Sequence, residues 1–190
     1  VPKISASTVA DHRAAQRRAL LDAARALLAE NPTQRPGLGQ VAAATGLSRS
    51  SVYHYFASSE DLLYAVVEDL CPPWLERVSA AVAGVDTVPG VVAAYVDANL
   101  ELVAEGEHAI LSALARLSPQ TFQDERLTSM HEGLVQPLVQ ALRKHGAPEP
   151  ERTAQLVNAV VYKATEMIES GSALASVQLA LQAVLVQPTR

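Results

Sequence analysis

Cysteine, aromatic residues and recognisable catalytic patterns are all scarce in this chain. Cys71 is the only cysteine among 190 residues, so no intrachain disulfide can form and a reducing compartment suits the protein. Aromatics make up 4%, while alanine, leucine and valine dominate. Helix formers outweigh strand formers, and an all-α fold is expected. No glycine-rich phosphate loop, Ser/His/Asp order or Cys/His zinc spacing is present. His12, His54, His108, His131 and His145 are scattered along the chain. Glu105-Gly106-Glu107-His108 contains one Glu-x-x-His step of the kind that ligates di-iron in helical bundles. A second copy is needed, and Thr128 occupies the matching position before His131. The expectation is a non-enzyme without metal or cofactor. A secretory leader is also not expected, because Lys3, Asp11 and His12 precede any long apolar stretch. Residues 170–189 carry no charge, yet Ser172, Ser176, Gln178, Gln182 and Gln187 argue against a membrane span. A cytoplasmic protein with a partner-facing last helix fits better.

The net charge is −5 and unevenly placed. Residues 1–60 hold seven Lys/Arg against four Asp/Glu, and residues 61–190 hold eight against sixteen. The first third is therefore basic and the remainder acidic, which favours a single docking orientation on a polyanion.

The basic third contains the most specific signal, residues 37–56. Leu38, Val41 and Ala42 give a first short helix one apolar face, and Gly46 stops it. Leu47 is expected to plug the turn. Ser48 is a suitable N-cap for a second short helix, on which Val52, Tyr55 and Phe56 cluster at helical spacing. Arg49, Ser50, Ser51, Tyr53 and His54 point the other way. None is acidic, and all can donate to phosphates or base edges. Ser58 and Asp61 have the capping-box spacing that opens another helix. Two short helices of this kind form a helix–turn–helix, which reads a DNA major groove.

The run Val41-Ala42-Ala43-Ala44-Thr45-Gly46-Leu47-Ser48-Arg49-Ser50-Ser51-Val52-Tyr53-His54-Tyr55-Phe56-Ala57-Ser58-Ser59-Glu60-Asp61-Leu62 resembles the DNA-binding domain of the tetracycline-repressor (TetR) family of transcriptional regulators. Ser59 stands where that family usually has Lys, Gly37 where it often has a Thr cap, and Thr45 where Ala is common. The resemblance implies a three-helix DNA-binding domain at residues 9–58 and a larger helical effector-binding and dimerisation domain at 59–190, with about nine helices in all. It implies DNA contacts from Arg49, Ser50, Ser51, Tyr53, His54, Gln40, Ser48 and Ser58. It further implies a homodimer on a palindromic operator, repression, and release by a small-molecule effector. The Ser59 departure motivates an alternative: a helical small-molecule-binding protein with a vestigial DNA head.

The rest of the chain reads as helices. A first helix is expected over Val9–Glu30 after an irregular arm at 1–8, with Leu20, Ala24, Leu27 and Leu28 inward. Arg13, Arg17 and Arg18 near its start fit either a solvated face or phosphate contact. A fourth helix from Ser59 should break or bend at Pro72-Pro73, with a further one from Trp74 to Val82. Others are expected over Val91–Glu105, Glu107–Leu117, Gln120–His145, Glu151–Ser170 and Ala173–Val186. Polar residues inside apolar helices mark a candidate effector pocket: Tyr95, Asn99, His108, His131, Tyr162 and Glu166. Val157, Val161, Ile168, Leu174, Val177, Leu181 and Val184 recur at helical steps. That stripe suits an intrachain core or an interface between subunits, and the uncharged last helix favours the interface.

Overall fold

The computed structural model describes residues 6–118 and 133–185. Among them lie nine α-helices and no strand. They are α1 (Ala6–Glu30), α2 (Leu38–Thr45), α3 (Arg49–Tyr53), α4 (Ser59–Ala83), α5 (Val88–Ala104), α6 (Glu107–Leu117), α7 (Gln136–Lys144), α8 (Pro150–Glu169) and α9 (Leu174–Leu185). No described helix is long and apolar enough to cross a membrane. Two compact units form, one from residues up to Asp69 together with Ile110 onward in α6, the other from Leu70–Ala109 together with α7, α8 and α9. This division falls inside α4, eleven residues beyond the boundary the motif suggests.

In the first unit, α1 is already helical at residues 6–8, which were expected to be irregular. Its inner face is Leu20, Leu21, Ala24 and Leu28, while Leu27 stands half-exposed. At about 100° per residue Leu21 falls beside Leu28 and extends the buried face on that flank, while Leu27 falls on the opposite flank, beyond Leu20. Asn31 ends the helix, its Oδ1 accepting from Thr33 Oγ1 at 2.8 Å. Helix α2 packs on α1 and α3. Gly46 closes it at φ 70°, with its own N–H donating to Ala43 and that of Leu47 to Ala42 at 3.0 Å. An L side chain at that φ would be strained. Leu47 is half-buried rather than a buried plug. Ser48 caps α3 by accepting from the Ser51 N–H at 3.1 Å. The α-helix ends at Tyr53, earlier than the apolar pattern through Phe56 suggests. Past it, the His54 and Tyr55 amides bond three residues back, to Ser51 and Val52. That tighter turn still delivers Phe56 to the core, 1% exposed beside Val52 at 0%.

Helix α4 opens at the expected pair, with the return bond of the box shifted from Ser58 to Ala57. Ser58 Oγ accepts from the Asp61 N–H at 3.0 Å, and Asp61 Oδ2 accepts from the Ala57 N–H at 2.9 Å. It then runs unbroken through Pro72 and Pro73 to Ala83. Both prolines are exposed, so water can satisfy the carbonyls they leave unpaired, while Leu70, Cys71, Trp74 and Val78 hold the buried side. Burial pushes the Cys71 thiol pKa up.

In the second unit, α5 buries eight residues between Val91 and Val103 and packs on α7, α8 and α9, as a largely apolar helix should. It starts at Val88, three residues before the expected Val91, and so takes in Pro89 and Gly90. Thr87 caps it by accepting from Gly90 N–H at 3.2 Å, and proline in a first turn removes only an N–H with no intrahelical partner. Residue 90 must be small, because a Cβ there would come within 2.6 Å of Val85 Cγ1. The single helix expected over 120–145 is interrupted. Residues 134 and 135 form a turn and α7 begins at Gln136, since Pro137 has no N–H to bond back to the residue 133 carbonyl, an absence a helix tolerates only in its first turn. Residues 119–132 lie outside the described residues.

Candidate functional site

The outward residues of the helix–turn–helix share one exposed edge of the first unit. Arg49, Ser50, Tyr53 and His54 are exposed, Tyr53 by 49% despite its ring. No acidic residue lies between Gln40 and Ala57, and the exposed Glu60 and Asp61 follow at the start of α4. Ser48 Oγ lies 2.9 Å from Ser50 Oγ and 2.7 Å from Ser51 Oγ. That hydroxyl cluster fixes the start of α3, and it draws Ser51 to a half-buried position. Gln40 is exposed, but its Oε1 accepts from the Gly37 N–H at 2.8 Å. It replaces a Thr cap from the other side of the turn and keeps its amide N–H₂ for a ligand. Ser58 is exposed at the start of α4, where its oxygen is engaged in the cap.

The arginines of α1 divide. Arg18 pairs with Asp22 at 3.1 Å and with Asp69 at 2.9 Å, and Arg25 joins Asp69 at 2.8 Å. Arg18 thus ties α1 to α4. Arg13 and Arg17 remain exposed. At the other end of the unit, Arg35 Nη2 donates to the Leu117 carbonyl at 2.9 Å, and the buried Ser118 hydroxyl donates to Glu60 Oε1 at 3.2 Å.

The expected effector residues do not all assemble. Tyr95 and Asn99 are buried at 2% and 6%. Asn99 Oδ1 accepts from Trp74 Nε1 at 2.9 Å, its amide donates to the Tyr95 carbonyl at 2.7 Å, and the Tyr95 hydroxyl donates to Asn158 Oδ1 at 3.1 Å. Burial, with Tyr162 nearby, raises the Tyr95 phenol to about 12. Burial also raises Tyr162, against a hydrogen bond with Asn158 that lowers it. His108 Nδ1 sits 2.8 Å from Glu169 Oε1, and its ring is tilted 59° to Trp74 at 6.3 Å. Glu166 stands apart, on the surface with Lys163 at 2.7 Å. His131 lies outside the described residues. Trp74, Asn158 and Glu169 complete the network and were not singled out in the sequence. The signal for Trp74 was its being the one tryptophan of an aromatic-poor chain.

The last helices also differ from the expected stripe. Val157, Val161 and Val177 are buried inside the single chain. Ile168, Leu174 and Leu181 are half-buried, and the Val184 side chain lies outside the described residues. The large apolar and aromatic residues exposed on these helices are instead Leu156 (66%), Met167 (40%), Leu179 (69%) and Tyr162 (44%), the last expected in the pocket. The stripe faces inward because α8 packs against α5 and α7. As for a metal, Glu105 pairs with Arg77, whose hydrogen bond lowers its carboxyl pKa. Among the described residues no three His, Cys, Asp or Glu side chains come together to hold an ion.

Residues 20–66 match the family described as bacterial regulatory proteins, tetR family. Over 140 residues the chain is 32% identical to the HTH-type transcriptional repressor LfrR of Mycolicibacterium smegmatis, covering 71% of this chain and 67% of that protein. The crystal structure of LfrR in complex with proflavine superposes with a TM-score of 0.67 at 24% identity, over 92% of this chain and 96% of that one. The regulator FadR from Bacillus subtilis, in complex with stearoyl-CoA, gives 0.72 at 18% identity over 91% and 99%. AibR, in complex with isovaleryl coenzyme A and operator DNA, gives 0.70 at 18% over 91% and 99%. These superpositions establish a shared fold.

Proposed function

The chain belongs to the tetR family of bacterial regulatory proteins, and from that premise we propose that it is a repressor which grips a palindromic operator as a homodimer and releases it on binding a small molecule. One observation carries the reading: the capped helix α3 displays Arg49, Ser50, Tyr53 and His54 outward from an acid-free edge. Arg matches a guanine edge bidentately, and the phenol, imidazole and hydroxyl serve bases or phosphates. Tyr53→Ala with His54→Ala should weaken operator binding at least tenfold, since each base contact contributes roughly 1–3 kcal/mol. Helical content and particle mass should stay as they were. Wild-type affinity in a mobility-shift titration at fixed salt would overturn the assignment.

For the dimer, Leu156, Met167 and Leu179 on the last helices support a face for a second copy better than the inward stripe does. Two heads then meet successive major grooves roughly 34–36 Å apart. Selection of bound genomic fragments should return one palindrome. Recovery of only sequence-blind, salt-labile binding would favour a vestigial head instead.

The effector reading follows charge. Relatives hold proflavine, an aromatic cation, or coenzyme A esters, which are polyanions. Residues 61–190 of this chain carry twice as many acidic as basic side chains. The Trp74, His108 and Glu169 group offers aromatic faces beside a carboxylate. Both features favour an aromatic cation over an acyl-CoA.

A further inference from the structure

Arg13, Arg17 and Arg18 occupy the same stretch of α1 but make different contacts. Arg18 turns its N–H edge onto the carboxylates of Asp22 and Asp69. Arg13 and Arg17 hold the guanidinium within cation–π range of aromatic rings, with Cζ 5.8 Å from the Tyr55 centroid and 5.7 Å from that of Phe56. Among the described residues neither meets a carboxylate, and both are exposed. The rings beneath them are fixed. The Tyr55 hydroxyl donates to Gln16 Oε1 at 2.5 Å, and Phe56 is 1% exposed in the core.

The two modes leave different atoms available. An ion pair occupies the in-plane N–H groups of a guanidinium. A cation–π contact engages the charge of the guanidinium and uses no acceptor atom, so its five N–H donors are not spent on a carboxylate. An arginine held in this way is positioned in advance while its donors remain open to an oxyanion. Tyr55 and Phe56 directly follow His54 in the turn that ends α3, so these two cations lie near the C-terminal end of that helix. The start of α4 cannot supply the same charge. Ser59 stands there in place of the family's usual lysine, and Glu60 and Asp61 make its first turn acidic.

We propose that Arg13 and Arg17, held over Tyr55 and Phe56, are the phosphate anchors of the DNA-binding unit, whereas Arg18 is a structural tie. This rests on the DNA-binding reading above. Fluorescence anisotropy of wild type, Arg13→Ala, Arg17→Ala, the double variant and Arg18→Ala tests it on operator and on random duplex across a salt series. Each of the first two replacements should reduce the slope of log K against log salt by about 0.9 per bound chain, and the double by about twice that. Both duplexes should weaken by the same factor, because phosphates carry no sequence. Arg18→Ala should keep the slope and lower the melting temperature. Tyr55→Phe keeps the ring and should bind like wild type, while Tyr55→Leu should weaken binding as Arg13→Ala does. A wild-type slope in a folded double variant overturns the proposal, and so does a loss confined to the operator. Wild-type protein that binds neither duplex at low salt sinks the regulatory reading itself, a result visible before any variant is made.

Discussion

Tyr95 is the residue whose chemistry the fold changes most. Its phenol is buried on α5 and pushed up to about 12, against 10 for an exposed tyrosine. Between those values the unfolded chain ionises while the folded one keeps its proton. The contribution is therefore fully present below pH 10 and is lost as pH rises toward 12. Absorbance titration of phenolate should show Tyr95 ionising well after an exposed tyrosine, with unfolding setting in over the same range. Tyr95→Phe should remove that late step and cost about 1 kcal/mol at neutral pH, because Asn158 Oδ1 loses its donor. A variant whose phenolate titration matches wild type would refute the assignment. From the sequence, Tyr95 and Asn99 stood out as polar residues in an apolar helix. Their partners did not, since Trp74 lies 25 residues from Asn99 and Asn158 lies 63 from Tyr95. Periodicity along one helix says nothing about which other helix will face it.

Short elements of the DNA-binding unit depend on their caps. Helix α3 has five residues, too few to persist by propensity alone, so the Ser48 hydroxyl and the tertiary seat of Val52 must hold it. Ser48→Ala should cost about 1 kcal/mol, roughly 2–4 °C of melting temperature for a chain of this size. Calorimetry would read this, and an unshifted transition would show that packing alone suffices. The stops and caps were legible in the sequence because their physics is local. Gly46 and the Ser58/Asp61 pair work through atoms a few residues apart. Prolines were less legible, because the effect of a proline depends on its place in the helix and on which side faces water. Pro72 and Pro73 sit on the exposed side of α4, so the buried side carries the helix through. Pro89 falls in a first turn, where it does no harm.

For the whole molecule, the decisive questions are which surfaces remain free and what charge they carry. Leu156→Glu with Leu179→Glu should shift the particle from dimer to monomer in sedimentation, and operator affinity should fall with it. A variant that stays dimeric would place the interface elsewhere. Trp74, the one tryptophan, reports on the polar network of the second unit. Proflavine should quench its emission and release operator, and isovaleryl coenzyme A should do neither. The opposite ranking would overturn the charge argument.

The sequence by itself determined the all-helical fold, the helix–turn–helix, its caps and the family. Each of these depends on spacing within a dozen or so residues, where geometry follows from the backbone repeat. Only the tertiary structure decided which arginine of α1 is free, since an ion pair and a stacked ring look identical until Asp69 and Tyr55 are brought across 51 and 42 residues. It likewise turned the apolar stripe of α8 inward and left Leu156 and Leu179 outside. An amphipathic helix specifies that one face is buried, and only its neighbours specify which of two apolar faces that is.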